Sequence, residues 1–125
     1  MTAVVLDAGA LIGLERGDAK MTALMSVIVR EEIPTYVPAG VVAQVWRGTP
    51  RQHNVGRLLA TEAVRIDDMD EQVAKSVGTL LGSSNTSDAI DGHVALLGRI
   101  TRGNVYTCDR ADIIKIDPTL EIIEV

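Results

Sequence analysis

The sequence predicts an α/β fold, with helices packed on a mostly parallel central sheet of four to five strands. Three observations predict it. Short apolar runs alternate with longer segments whose apolar residues repeat at helical spacing, the pattern that βαβ units require. Two of those runs end on an aspartate, a residue suited to capping the helix that follows. Hydrophobic residues form 46% of the chain but aromatics only 2%, with no Phe. The core must therefore be built from Val, Ile, Leu, Ala and Met, which suits helices on a buried parallel sheet. At 125 residues, a single domain spanning 1–125 is expected, long enough to bury a core without disulfides.

Residues 3–6 are wholly apolar and read as a buried strand ending on Asp7; residues 8–14 follow as a brief helix. From Asp18 to about Glu31, the residues Met21, Leu24, Met25, Ile28 and Val29 repeat with helical period behind an aspartate start signal. The methionines are core filler. Residues 35–37 form a second strand, and Pro38 opens a helix lined by Val41, Val42, Val45 and Trp46, from which Gln44 projects. Thr49-Pro50 restarts the chain as a helix reaching Leu58 and Leu59. Arg47, Arg51, His53 and Arg57 give this region a basic cast. With Trp46 nearby it is a candidate to meet a phosphate backbone, although a solvated helix face is the simpler reading.

Residues 64–66 alternate as a third, weaker strand, and residues 67–70 turn into a helix carrying Val73, Val77, Leu80 and Leu81, with Gly82 as its expected stop. Residues 83–86 form a polar loop before a helix that starts at Asp88 and is closed by Gly103. Residues 105–107 are a fourth strand ending at Cys108-Asp109. Residues 112–114 make a turn of helix, Pro118 breaks it, and residues 121–125 form a short edge strand.

A helix advances about 100° per residue, so Asp88 and Asp91 share one side, with Gly92 and Ala95 beside them. Such small neighbours are expected to leave room above the carboxylates, while Ile90, Val94 and Leu97 face a core. Two carboxylates at this spacing repel unless a cation lies between them. The same pair also fits a plain helix start, with Asp88 as N-cap and Asp91 as the N3 acid, and spacing alone leaves both readings open. A parallel sheet places every strand's carboxyl end on one edge, where Asp7 and Asp109 would meet. If the Asp88 helix starts there too, four carboxylates from three segments converge, which is costly without a divalent cation. Convergence of this kind points to Mg²⁺ or Mn²⁺ and phosphoryl chemistry.

His93 lies about 140° around the helix from Asp88 and reads as a hydrogen-bonded core histidine, whereas His53 has no partner nearby in sequence. Cys108, the sole cysteine, excludes an internal disulfide, fits a reducing compartment and reads as a small core hydrophobe. Thr107 and Ser87 are turn or cap residues able to orient waters, and Arg110 faces solvent. A net charge of −5 gives no general attraction to nucleic acid, so such binding needs a local basic patch or a bound metal. No apolar run of about 18 residues and no basic-then-apolar leader is visible, so a soluble cytoplasmic protein without membrane contact is expected.

Four stretches, residues 4–12 around Asp7, 37–47 around Gln44, 86–97 around Asp88 and 106–112 around Asp109, resemble in order the successive motifs of PIN-domain ribonucleases. The likeness is greatest to the VapC toxins of bacterial toxin–antitoxin pairs and spans nearly the whole chain. It implies a PIN-like three-layer α/β/α fold and a Mg²⁺-dependent endoribonuclease, with Mn²⁺ an alternative ion. It also implies a homodimer, held inactive by a small VapB-like antitoxin whose C-terminal segment covers the cleft. Carried over by position, the metal-binding acids are Asp7, Asp88 and Asp109, with Asp91 an additional member. Gln44 stands where PIN domains usually have an acid; its amide can position a water but supplies no charge, and Asp91 is expected to compensate with its carboxylate. The reaction implied is hydrolysis of an RNA phosphodiester by metal-activated water, with Asp7 and Asp109 holding the principal ion. The rival reading is a PIN-like binding or regulatory module without useful catalysis. A response-regulator receiver would need an acidic pair after the first strand and a Lys after the last core strand, and a haloacid-dehalogenase-like phosphatase would need an acid where Gly9 stands.

Overall fold

Residues 2–125 are described by a computed structural model. The chain runs β1 (Val4–Leu6), α1 (Ala8–Glu15), α2 (Ala19–Glu31), β2 (Thr35–Pro38), α3 (Ala39–Val45), a 3-10 turn (Pro50–Gln52) and α4 (His53–Leu59). It continues as β3 (Val64–Asp67), α5 (Glu71–Ser84), α6 (Ala89–Thr101), β4 (Asn104–Thr107), α7 (Arg110–Ile116) and β5 (Glu121–Glu124). Aspartates start the helices as their residue type dictates: Asp18 accepts from the Met21 N–H at 3.0 Å and Asp70 from the Val73 N–H at 2.8 Å.

The sheet has the order β3-β2-β1-β4-β5, and every neighbouring pair is parallel. β1 is buried along its whole length because it has a strand on either side and a helical layer on either face. From β1 the chain steps outward to β2 and β3, then returns to place β4 on the other side of β1. Right-handed crossovers put the helices of these opposite steps on opposite faces. Accordingly α1 packs with α2, α3 and α4, whereas α6 packs with α5 and α7, giving three layers. The main core holds Leu6, Leu11, Leu14, Met21, Ile28 and Val41, and a second cluster of Val77, Leu80, Leu81, Ala95 and Ile116 joins α5, α6 and α7. Among the described residues, no helix is long and apolar enough to cross a membrane.

Several local expectations change. α5 continues past Gly82 to Ser84 and ends at Asn85, whose backbone enters the left-handed region at φ 57°. Asparagine tolerates that conformation well enough to serve as the stop. α6 likewise ends at Arg102, at φ 54°; a Cβ on Gly103 would come within 2.6 Å of the Ala3 carbonyl, so that glycine serves a close approach. Gly92 and Ala95 do not leave open space above the acids. A Cβ on Gly92 would lie 2.8 Å from Val77 Cγ1, and Ala95 is fully buried, so both let α5 seat against α6. α3 ends at Val45, leaving Trp46 extended and 44% exposed rather than on the helix's apolar face. His93 is buried as expected, with Nε2 2.7 Å from Asp67 Oδ2, which ties α6 to the end of β3.

Candidate functional site

The point where the strand order reverses lies between β1 and β4, and a crevice opens there at the carboxyl ends of an α/β sheet. Asp7 follows β1 and Asp109 follows β4, so the two emerge side by side. Asp7 is buried and caps α1, its Oδ1 accepting from the Ala10 N–H at 3.0 Å. Asp109 occupies the equivalent position before α7 but caps nothing; its own N–H donates to the buried Thr107 hydroxyl at 2.9 Å. The approach of the two loops depends on Gly9, where a Cβ would fall 2.3 Å from Cys108 Sγ. As a result Asp7, Cys108 and Asp109 each offer a ligand atom, all within 4.8 Å of one another.

Asp7 and Asp109 line a cleft of about 540 Å³ that also takes in Asp88 and Asp91 from the start of α6 and Asp112 from α7. Gln44 and Arg47 also line it, and Ile12, Val41, Ile90 and Val94 supply apolar surface. Asp88 is indeed an N-cap: its Oδ1 accepts from the N–H groups of Ile90 and Asp91, both at 3.0 Å. Capping and cleft lining are thus compatible, because the cap bonds occupy one carboxylate oxygen. Asp88, Asp91 and Asp112 also wall a smaller adjoining hollow with Ser87 and Lys115.

The electrostatics follow from the crowding. Burial, reinforced by the charges of Asp88, Asp109, Asp112 and Asp7, pushes the Asp91 carboxyl up to about 6. Burial also raises Asp7, opposed by hydrogen bonds from the Thr107 hydroxyl and the Ala10 amide and assisted by Asp109. Among the described residues, none of the five cleft aspartates is paired with a Lys, Arg or His side chain. Cys108 is not the core hydrophobe expected: it is exposed because it lies past the end of β4, where the strand's alternation no longer applies. Desolvation of its sulfur, then the charges of Asp7 and Asp109, push the thiol up, so it is not an activated nucleophile. Arg110 points out of the cleft toward Glu124, 3.6 Å away.

No family model and no curated protein matches this chain by sequence. Solved structures do match its shape. FitAB bound to an IR36 DNA fragment superposes with a TM-score of 0.65 at 18% identity, over 97% of this chain and 94% of that one. FitAcB from Neisseria gonorrhoeae gives 0.63 at 18% identity, over 96% of both chains. VapBC2 from Rickettsia felis, bound to a DNA fragment from their promoter, gives 0.66 at 12% identity over 98% of both. The fold is PIN-like. At such identities the likeness is one of architecture, and the PIN-like fold of this chain owes its cleft to its own residues.

Within the PIN-like fold, the sequence-predicted Asp7, Asp88, Asp91, Asp109 and Gln44 all line one cleft. Asp7 and Asp109 form the tight group, with Asp88 and Asp91 set outside it. Sequence reasoning missed Asp112 and Arg47 as cleft residues. Asp112 carried a signal: it follows Asp109 at the same three-residue spacing that separates Asp91 from Asp88. Arg47 carried none, since its place depends on the path of the loop after α3.

Proposed function

We propose that this chain is a divalent-metal-dependent endoribonuclease, the toxin of a VapBC-type toxin–antitoxin pair. The observation that supports it is the sharing of one cleft by five aspartates from three segments without a cationic partner, crowded enough to hold Asp91 near 6. Carboxylate oxygens in that number suit Mg²⁺ or Mn²⁺, hard cations that take oxygen ligands. Asp7 and Asp109 would hold the principal ion; Asp88 and Asp91 complete the site directly or through water. A bound ion supplies a water of lowered pKa and neutralises charge on the phosphate.

The chain's own groups do the rest. The Thr107 hydroxyl accepts from the main-chain N–H of Asp109, and its proximity to Asp7 opposes the rise of that carboxyl, so one side chain serves both strand ends. Gln44 presents a neutral amide that can orient a water, and Arg47 places a guanidinium where a phosphodiester would enter. In the reaction a water oxygen adds to phosphorus, the P–O bond to the leaving ribose breaks, the proton released by the water ends on the leaving ribose oxygen, and no side chain is covalently modified. The FitAB and VapBC2 assemblies among the structural neighbours support a small antitoxin as partner. A homodimer working in the cytoplasm completes the reading.

The test is RNA cleavage by the chain purified free of antitoxin, with Mg²⁺ or Mn²⁺ and with EDTA. Cleavage is expected only with the ion, and Asp7→Asn or Asp109→Asn should lower it roughly 100-fold or more. Equal cleavage by both variants would overturn the assignment. Metal-independent silence of the wild-type chain would favour a PIN-like binding module.

A further inference from the structure

Beside the acidic cleft lies a second depression of about 700 Å³, lined by Trp46, Pro50, His53, Gly56 and Arg57 among others. No residue lining it is acidic, although the chain as a whole carries a net charge of −5. Trp46 is 44% exposed and rests against Gly56, where a Cβ would sit 3.4 Å from its ring. The next residue, Arg47, lines the cleft, so this extended segment sends one side chain to each side and joins groove to cleft. The segment is held rigidly. The buried Gln52 side chain accepts from the N–H groups of Arg47 at 2.7 Å and Gly48 at 3.2 Å, and donates to Glu15 and to the Val45 carbonyl, each at 2.7 Å.

We propose that this groove is a track for single-stranded RNA, in which an unpaired base stacks on Trp46 while Arg57 and Arg47 meet the flanking phosphates. The proposal extends the nuclease reading by specifying where the strand leaves the cleft. Its grounds are separate: an exposed aromatic plane beside cations is how single strands are held without base-pair readout. The charge of the groove matches a polyanion, whereas the cleft next to it, with five carboxylates to one guanidinium, does not. Gln52 is a positioning residue, since it fixes the loop that aims both Trp46 and Arg47.

Trp46 is the chain's only tryptophan, so its emission reports the groove directly. The experiment titrates the protein, in EDTA, with an oligouridine of about 10 nucleotides, a length within the span of known single-strand sites. Saturable quenching of Trp46 is expected in wild type; with the same oligouridine carrying a fluorescent label, anisotropy should show Trp46→Ala binding roughly 5- to 100-fold more weakly and Trp46→Phe retaining most of the affinity. Arg57→Ala should reduce the salt dependence of binding by about one counterion. The proposal is overturned if Trp46→Ala binds the labelled oligonucleotide as tightly as wild type. It is equally overturned if polyphosphate, which has no bases, quenches as strongly as the oligonucleotide. Because binding is read without metal, a failed cleavage assay leaves this result intact, and the converse also holds.

Discussion

Asp91 is where burial and like charge act on the same group, and the sign of its effect follows from that. The fold holds its carboxyl near 6, against 3.8 for a free side chain, so the native state favours the protonated form. Asp91 therefore costs the fold nothing below about 3.8, and its penalty grows from there until it is complete above about 6. In EDTA, wild type should lose stability relative to Asp91→Asn between pH 4 and 7. The difference should be on the order of 1 kcal/mol once solvent screening of a half-exposed carboxylate is allowed for. Thermal unfolding across that range measures it, and parallel pH profiles would show that the cluster exerts no such strain. Asp7 and Asp109 were legible in the sequence because each stands at a strand's carboxyl end, a place with geometric meaning. Cys108 was misread because burial was extrapolated one residue beyond the strand. Asp112 was hidden by its ordinary role as an acid in the first turn of a helix.

At the scale of elements, the site exists because α1 and the β4–α7 loop come unusually close. Gly9→Ala would improve helix propensity by up to about 1 kcal/mol, but the added Cβ meets Cys108 Sγ at 2.3 Å and Cys108 Cβ at 2.7 Å. Overpacking of this kind costs roughly 1–3 kcal/mol, so the clash wins and the midpoint of thermal unfolding should fall. Cys108→Gly removes both offending atoms, and a double-mutant cycle should show it restoring part of the loss. Additive losses would mean that the two loops are not in contact in solution. The helices themselves were readable from their aspartate caps and apolar period, as with Asp18 and Asp70. Their ends were less so, because Asn85 and Arg102 adopt the left-handed backbone that a neighbouring glycine was expected to supply. Trp46 shows the same limit: periodicity gave it an apolar helix position, but α3 had already ended.

For the whole molecule, the proposed ligands sit on segments that only the finished sheet brings together, so an ion bound there must stabilise the entire fold. Adding Mg²⁺ or Mn²⁺ should raise the unfolding temperature of wild type, with a gain of about 2.7 kcal/mol at 100 times Kd. Asp109→Asn should show little of it; an unchanged midpoint for wild type at millimolar ion would argue against a metal in the cleft. The parallel sheet was legible because strands and helices alternate throughout. The place of Arg47 in the cleft was not, since it and Gln44 reach the aspartates only through the packing of α3 on α1. The central place of β1 has one more outcome, in time. Val4 cannot take up its pairing with Asn104 until the chain has been made through β4, so the growing chain lacks its Asp7–Asp109 pair while every element between those strands is synthesised.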